Sequence, residues 1–280
     1  MDIFESPLSI EELANVLPAF TIEKPIGAGG QGTVFLVRLQ DGRKGALKIY
    51  RLSRIMASRV EREVNALEKL DSDVIVKLIS HGNILLKNEE CKYVVSEYIE
   101  GTDLRRLINQ GPLDEQLVIQ LCYRISQAID ELWTLRIVHR DIKPANILVD
   151  NNGLPYLIDL GIAKHLDQKT LTAVGRTLGT LGYMSPEQMA GRRGLTLKSD
   201  LFSLGIVAYE ALTGRHPFDR NQNLVGKINP PPINEILSVK PELAEIINEM
   251  LQLHPADRPS SGKVIRERLS SIIDILEKGG

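Results

Sequence analysis

A group of glycines near the N-terminus has the spacing of a phosphate-binding loop. Residues 27–34 read G-A-G-G-Q-G-T-V and match G-x-G-x-x-G-x-V, with Gly27, Gly29 and Gly32 at the fixed positions. Without side chains, backbone N–H groups can approach phosphate oxygens closely. The pattern alone also fits an ordinary glycine turn. Because Val34–Val37 then predicts a strand and not the helix of a dinucleotide-binding unit, a glycine-rich hairpin over a nucleotide is favoured.

A lysine in the next strand could supply a positive charge to the same site. Lys48 stands between Leu47 and Ile49, so in a strand its side chain points to the opposite side from both. One interpretation is a lysine that faces solvent. The other is a point-charge contact to phosphate groups.

Two acids flank the apolar face of the helix predicted over 55–70. That face is formed by Val60, Val64 and Leu67. Glu61 and Glu63 lie on opposite flanks, and either could be an ordinary surface acid. Glu63 is closer to the centre of the face, so it is better placed to reach inward and pair with a lysine in a cleft.

The most informative string lies in the middle of the chain. Residues 139–148 read H-R-D-I-K-P-A-N-I-L and hold Asp141, Lys143 and Asn146 at fixed spacing, and the string D-L-G begins at Asp159. A polar loop between strands would not explain why both strings occur together.

Together these strings resemble the eukaryotic-like (Hanks-type) Ser/Thr protein kinases over about residues 20–275. The resemblance implies that Asp141 accepts the proton of a substrate hydroxyl and that Lys143 helps to hold the γ-phosphate of ATP. Asn146 and Asp159 would hold Mg²⁺, with Mn²⁺ as an alternative. Protein substrates with Ser or Thr acceptors follow from the same resemblance.

The resemblance also assigns the nucleotide contacts. Lys48 would contact the α- and β-phosphates and pair with Glu63, beneath the loop formed by the three glycines. Backbone groups of Glu97 and Ile99 would bind adenine, and Ser96 takes the gatekeeper position. The adenine ring would lie between three apolar side chains, Val34, Ala46 and Leu148. These positions are equally compatible with ordinary core packing.

Further motifs match the family beyond the D-L-G string. Residues 179–187 resemble the end of an activation segment, in which Thr180 would bridge to Asp141 and Lys143 and argue against tyrosine specificity. Asp200 begins a D-L-F-S-L-G string that resembles a helix typical of the family. The D-R-P-S turn predicts a structural ion pair between Arg258 and Glu187.

Small departures from the family pattern leave the chemical groups intact. Leu160 replaces the usual Phe after the metal-binding aspartate, and Ser185 replaces the usual Ala before Pro-Glu. These variants resemble a bacterial member of the family.

The resemblance implies regulation by phosphorylation. Arg140 commonly receives a phosphorylated residue of the activation segment in this family. We expect autophosphorylation at Thr170, Thr172 or Thr177, with Thr180 kept for its structural role. These threonines could also be ordinary polar loop residues.

The surrounding elements must position these groups, and the pattern predicts an α+β fold with two lobes. Residues 1–20 form an extension with a short helix over 6–20, started by a capping box at Ser9 and Glu12. Residues 21–100 form a small lobe with an antiparallel sheet and one main helix, which binds the nucleotide. Residues 101–280 form a larger, mostly helical lobe with the catalytic loop, the activation segment and the substrate-binding surface.

Composition excludes several other classes. The 280 residues carry 34 Lys and Arg against 36 Asp and Glu, which argues against a strongly basic nucleic-acid binder. A content of 43% apolar residues excludes a disordered chain. The two cysteines show no zinc spacing and suit a reducing cytoplasm. We expect neither a secretory signal nor a membrane-spanning segment in this sequence.

Two alternatives to an active protein kinase remain at this point. A small-molecule kinase shares H-x-D-x-x-x-x-N but generally lacks the Lys143 pattern and the S-P-E and D-R-P pair. A nucleotide-binding pseudokinase that acts as a scaffold would keep the fold without an assembled site. The intact residues Lys48, Glu63 and Asp159 argue against the scaffold.

Overall fold

The computed structural model describes residues 8–29, 32–51, 54–159, 182–221 and 223–278. For a few helix and strand positions it describes the backbone alone: Ala28, Gly29, Gly32, residues 54–59, Glu63 and residues 274–278. The chain divides into two compact units, Met1–Ile99 and Glu100–Gly280. The architecture is α+β, as predicted.

A five-stranded antiparallel sheet forms the centre of the first unit. Its strands are β1 (Phe20–Gly29), β2 (Gly32–Leu39), β3 (Lys44–Arg51), β4 (Leu78–Leu86) and β5 (Glu89–Glu97), in the order β1-β2-β3-β5-β4. Helix α2 (Arg54–Leu67) connects β3 to β4. The pair Asp41-Gly42 is a hairpin turn signal in the sequence, and in the structure it joins β2 to β3. Gly42 has a φ of +86° that favours glycine.

The alternation of side chains along the strands separates two faces of this sheet. Leu47 and Ile49 of β3 lie in a buried cluster on one face. Lys48 and Tyr50 therefore face the other way, where α2 packs its apolar residues Val60 and Val64 against Tyr50. The predicted orientation of Lys48, away from Leu47 and Ile49, is confirmed.

Helix α1 (Ile10–Val16) covers the first face of the sheet. The predicted capping box is present: Ser9 N–H donates to Glu12 Oε2 at 2.9 Å, and Glu12 N–H donates to Ser9 Oγ at 3.1 Å. Leu13 and Leu17 are buried in the same cluster as Leu47. The helix is shorter than the predicted range 6–20, because Leu17 caps it before Pro18 and Phe20 already belongs to β1.

The second unit is mostly helical. Its helices are α3 (Leu104–Gln110), α4 (Glu115–Thr134), α5 (Pro186–Met189), α6 (Leu197–Thr213), α7 (Ile233–Ile236), α8 (Pro241–Met250) and α9 (Gly262–Lys278). Strands β6 (Gly101–Asp103), β7 (Ile147–Asp150) and β8 (Pro155–Leu157) form a small antiparallel sheet in that order.

Helix α6 runs through the core of the second unit. Nearly all of its side chains are buried, including those of the acids Asp200 and Glu210. A Cβ atom on Gly205 would lie only 2.8 Å from Met250 Cβ, so this glycine allows α6 and α8 to approach closely. Helix α4 packs against α6 and α9.

The cysteines are structural residues. Cys91 and Cys122 are free and buried, and burial raises the pKa of the Cys122 thiol to about 12. Such a thiol is protonated at neutral pH and is a poor nucleophile. Within the described ranges, no helix combines the length and apolarity needed to cross a bilayer.

Candidate functional site

The polar residues of the 139–148 string converge on the carboxylate of Asp141. Asp141 is buried, and Lys143 Nζ lies 3.1 Å from its Oδ2. Asn146, at the end of the 3₁₀ turn Pro144–Asn146, donates from Nδ2 to the same Oδ2 at 2.9 Å and to the Asp141 carbonyl at 2.8 Å. The three residues singled out by their spacing therefore form one hydrogen-bonded group.

Asp200 holds the backbone just before Asp141. Its buried carboxylate accepts the N–H of His139 at 2.7 Å and that of Arg140 at 2.8 Å. Burial raises the pKa of Asp200, and the two N–H bonds to the ionised form oppose that rise. Arg140 has a φ of +65°, a left-handed conformation that a non-glycine residue adopts only when its surroundings hold it there.

His139 connects Asp141 with Asp159, a role that sequence reasoning missed. The imidazole is fully buried, and its Nδ1 accepts the N–H of Asp141 at 3.2 Å. The proton must then sit on Nε2, which donates to the carbonyl of Asp159. The first letter of the H-R-D string was the available signal.

Gln188 is a second residue that sequence reasoning missed. It belongs to helix α5, and its Nε2 donates to the carbonyl of Arg140 at 3.1 Å. The signal was the capping-box spacing between Ser185 and Gln188.

Glu187 and Arg258 form the ion pair that the motifs predict. Arg258 donates from Nη1 and Nη2 to the two carboxylate oxygens of Glu187 at 2.7 and 3.0 Å. Burial disfavours the charged form of Glu187, but the bonds from Arg258 and Ser199 outweigh it and lower the pKa of Glu187. The pair is buried and links α5 to the turn before α9.

A second buried acid holds the segment that precedes α5. Glu210 of α6 accepts hydrogen bonds from Tyr183, from Arg105 at 2.9 Å and from Arg220 at 2.7 Å. These bonds outweigh the effect of burial and lower the pKa of Glu210. These bonds thereby hold the side chain of Tyr183, which precedes Ser185 and Glu187 in the sequence.

In the first unit, the residues assigned to the nucleotide share one face of the sheet. Val34, Lys48 and Val94 are direct partners across β2, β3 and β5. Ala46 lies next to Lys48 on the same face of β3 and pairs with Ser96 of β5. Lys48 is half-buried, and its Nζ lies 5.1 Å from the centre of the Tyr50 ring.

Packing within the first unit does not explain why residue 27 is a glycine. It pairs with Val34 across β1 and β2, and an added Cβ would make only an ordinary 3.9 Å contact with Val34. Gly29 and Gly32 pair with each other at the end of the same ladder. Gly27 is exposed, so a side chain there would extend from the surface of the hairpin.

The remaining nucleotide positions are found at strand ends and edges. The N–H of Glu97 donates to the Lys77 carbonyl at 2.8 Å, and Ile99 follows β5 as a half-buried residue. In the second unit, Leu148 of β7 faces away from the buried side chains of Ile147 and Val149.

Glu61 is held by a lysine of the sheet. Lys92 of β5 is buried and forms an ion pair with Glu61, and this bond lowers the pKa of Glu61. Glu61 therefore has Lys92 as its partner. The side chain of Glu63 lies outside the described part of the structure, although its backbone belongs to α2.

Several predicted residues of the activation segment also lie outside the described part. They are Leu160, Gly161, Thr170, Thr172, Thr177 and Thr180. Asp159 itself is described and half-buried.

The fold and the site define a class. A five-stranded sheet with a glycine-rich hairpin and a helical unit with a clustered Asp, Lys and Asn are the parts of a phosphotransferase of the protein kinase type. The model of the protein kinase domain family matches residues 20–270. The chain belongs to this family, whose members use ATP and a divalent metal ion.

Several curated bacterial proteins are similar to this chain. One from Corynebacterium efficiens, named serine/threonine-protein kinases drp72, is 32% identical over 91% of the chain and 51% of its own length. Serine/threonine-protein kinase PrkC from Bacillus subtilis is 39% identical over 71% of the chain and 31% of its own length. A Corynebacterium glutamicum protein named PknA is 31% identical over 88% of the chain and 55% of its own length. The chain thus spans about a third to about half of these relatives.

Proposed function

We propose that this chain is the catalytic domain of a serine/threonine protein kinase, which transfers the γ-phosphate of ATP to Ser and Thr hydroxyls of proteins. The observation that carries the proposal is the bonding of Lys143 and Asn146 to the carboxylate of Asp141. The bacterial relatives that are named serine/threonine-protein kinases support it.

Phosphoryl transfer explains why these residue types stand together. The transition state spreads negative charge over the phosphoryl oxygens, so catalysis depends on positioning and on cations. Asp141 would accept the proton of the substrate hydroxyl and orient its oxygen. Lys143 would neutralise charge on the γ-phosphate from a position beside Asp141.

The oxygens of Asn146 and Asp159 fit a hard divalent cation, which we propose to be Mg²⁺. Asn146 uses its Nδ2 group on Asp141, so its Oδ1 is the atom suited to a metal. Among the described residues, no group of three or more His, Cys, Asp or Glu could hold a metal. A site with two protein ligands, completed by nucleotide phosphates and water, is the arrangement that Mg²⁺ prefers. When bound, the ion would neutralise charge on the β- and γ-phosphates.

We propose that residues 21–100 bind the nucleotide and that residues 101–280 carry catalysis and the substrate, with 1–20 as an extension. Lys48 would contact the α- and β-phosphates and pair with Glu63. Gly27, Gly29 and Gly32 would let the hairpin backbone approach the phosphates. A face that combines Val34, Ala46 and Ser96 with a lysine suits an apolar ring attached to an anion.

Regulation by autophosphorylation is part of the proposal. Arg140 would receive a phosphate on Thr170, Thr172 or Thr177, while Thr180 would bridge to the catalytic loop. ATP as co-substrate and two free cysteines support a cytoplasmic location for this domain.

Labelling with γ-labelled ATP and Mg²⁺ tests the proposal, with a generic protein acceptor added. We expect the wild type to label protein, and Asp141→Asn and Lys48→Met to lower the rate by at least about 100-fold. Asp41→Asn is the matched control, because Asp41 lies in the exposed β2–β3 turn and bonds only to Arg43 among its described contacts. Mapping of the labelled residues tests Ser/Thr specificity and the activation-segment threonines.

Absence of labelling by the wild type, with ATP binding retained, would reject the proposal in favour of a scaffold. Labelling of small molecules but not of protein would reject it in favour of a small-molecule kinase.

A further inference from the structure

The peptide group between Arg140 and Asp141 is held by side chains at both of its polar ends. On one side, the N–H of Asp141 donates to His139 Nδ1 at 3.2 Å. On the other, the carbonyl of Arg140 accepts from Gln188 Nε2 at 3.1 Å. Both side chains are buried.

Fixing this peptide plane fixes the direction of the Asp141 side chain. Rotation of the plane changes ψ of Arg140 and φ of Asp141 together, and Arg140 already has a left-handed φ of +65°. Asp200 fixes the preceding N–H groups but makes no described contact with the Arg140 carbonyl. The bond from Gln188 therefore adds a restraint that Asp200 does not supply.

The chemistry of position 188 calls for an amide. Gln188 Oε1 accepts the N–H of Ser185 at 3.0 Å and also its hydroxyl at 3.0 Å, which closes the capping box of α5. A glutamate would complete a capping box equally well. An ionised glutamate has no donor, whereas glutamine can also donate to a backbone carbonyl while it accepts from Ser185.

We propose that Gln188 is a positioning residue for the transfer reaction, because its amide holds the Arg140 carbonyl and thereby orients Asp141. The inference rests on the proposed function and deepens it. Gln188 acts through the backbone and does not itself touch a reacting atom. It also couples α5, which carries Glu187, to the catalytic loop.

The test compares Gln188→Glu and Gln188→Met with the wild type in the labelling assay. Gln188→Glu keeps the acceptor for Ser185 but turns a carboxylate oxygen toward the Arg140 carbonyl. We expect kcat to fall about 10- to 100-fold, because small displacements of a reacting group have effects of this size. KM for ATP should change by less than about twofold, because the loss occurs at the transition state.

The pH profile distinguishes positioning from a structural role. The carboxyl group introduced by Gln188→Glu regains a donor when it is protonated, so the ratio of Gln188→Glu to wild-type kcat should rise as the pH is lowered. Gln188→Met has no titratable group and should show a constant ratio. Unfolding, followed by the fluorescence of the single tryptophan Trp133 in α4, checks that both variants are folded.

Gln252→Glu is the matched control, since Gln252 also donates from Nε2 to a backbone carbonyl, that of Asn248, at 3.0 Å. This control should keep wild-type kcat. An active wild type with unchanged kcat in Gln188→Glu would overturn the inference. So would a loss of kcat that follows the folded fraction and shows no dependence on pH. An inactive wild type would instead reject the proposed function.

Discussion

At the scale of single residues, buried side chains of the second unit hold backbone groups that would otherwise lack partners. Asp200 binds two N–H groups, His139 binds an N–H and a carbonyl, and His216 does the same next to the segment before α5. For His216 the contribution depends on pH, because its Nδ1 must stay unprotonated to accept these N–H groups.

His216 gives the clearest case. Its Nδ1 accepts the N–H groups of Phe218 and Arg220, and its Nε2 lies 3.0 Å from the Gly182 carbonyl. Burial, together with the cations Arg220 and Arg105 and against the opposing charge of Glu210, lowers the pKa of His216 from 6.5 to about 4. The unfolded chain then binds a proton at mildly acidic pH that the folded chain does not bind.

We predict that His216 makes the second unit less stable as the pH falls below about 6.5. From about pH 7.5 to about pH 5 its contribution to the free energy of unfolding should fall by about 2 kcal/mol. Urea unfolding followed by Trp133 fluorescence at both pH values measures this.

His216→Asn supplies the control, because Asn keeps an acceptor near Nδ1 and does not titrate. Glu187 and Glu210, whose pKa values are lowered, also lose stability in acid, but equally in both proteins. An identical pH dependence for the wild type and His216→Asn would contradict the prediction.

At the scale of elements, periodicity and local signals predicted most of the fold. The pattern of the sequence predicts helices over 55–70, 115–135, 198–213 and 241–253. The first three are present within a few residues as α2, α4 and α6. The last, α8, ends earlier, at Met250, and the carbonyls of Gln252 and Leu253 accept from Arg258 instead. That contact comes from a residue beyond the helix, so no local pattern could place the helix end.

The position of α2 depends on a contact that sequence periodicity does not show either. Lys92 and Glu61 are 31 positions apart in sequence. The residues on either side of Lys92 in β5 are apolar, so the sequence pattern gives no sign of a charged partner. Sequence reasoning placed Glu61 and Glu63 on opposite flanks of α2 but offered no partner for Glu61. The structure supplies one in β5.

We predict that Glu61→Gln destabilises the first unit by about 1 to 2 kcal/mol, because Lys92 then stays buried without its carboxylate. The figure is below that of a fully buried pair because the Glu61 side chain is 53% exposed. Lys92→Met should cost less, because its apolar side chain fills the same space without a charge. Hydrogen exchange of α2 backbone amides measures both effects.

The pair between Lys87 and Glu12 provides the control for this prediction. It has the same residue types in the same unit, but its lysine is 30% exposed, against 8% for Lys92, and it joins α1 to the turn between β4 and β5. Glu12→Gln should leave exchange in α2 unchanged. Equal exchange of α2 in Glu61→Gln and the wild type would contradict the prediction.

At the scale of the whole molecule, the sequence predicted the functional residues better than it predicted the contacts between them. Resemblance to the kinase family linked Glu187 with Arg258, 71 positions apart, and the structure has that pair. No periodicity could have done so, because pairing at this distance depends on the tertiary fold. The bonds of Asp200 to the catalytic loop and of Gln188 to Arg140 were unforeseen for the same reason.

The pair of Glu187 and Arg258 carries the last prediction, because it joins distant parts of the second unit in its interior. All five N–H groups of Arg258 have acceptors: two oxygens of Glu187 and the carbonyls of Lys198, Gln252 and Leu253. The guanidinium also lies 4.7 Å from the centre of the Phe202 ring. Removing it leaves a buried carboxylate and three carbonyls without these donors.

We predict that Arg258→Met lowers the free energy of unfolding of the second unit by about 3 to 5 kcal/mol, as expected when a buried pair loses one partner. Arg258→Lys should not restore it, because a single ammonium group cannot replace a planar fork with five donors. Urea unfolding followed by Trp133 fluorescence measures both variants.

Arg268→Met is the matched control, because Arg268 pairs with Glu249 and Glu245 nearer the surface. Its loss should cost less than about 1 kcal/mol. If Arg258→Lys unfolded at the wild-type urea concentration, the charge alone would suffice and the donor geometry would be irrelevant. If Arg258→Lys unfolded at the same urea concentration as Arg258→Met, the stability of this unit would depend on the directed hydrogen bonds of one arginine.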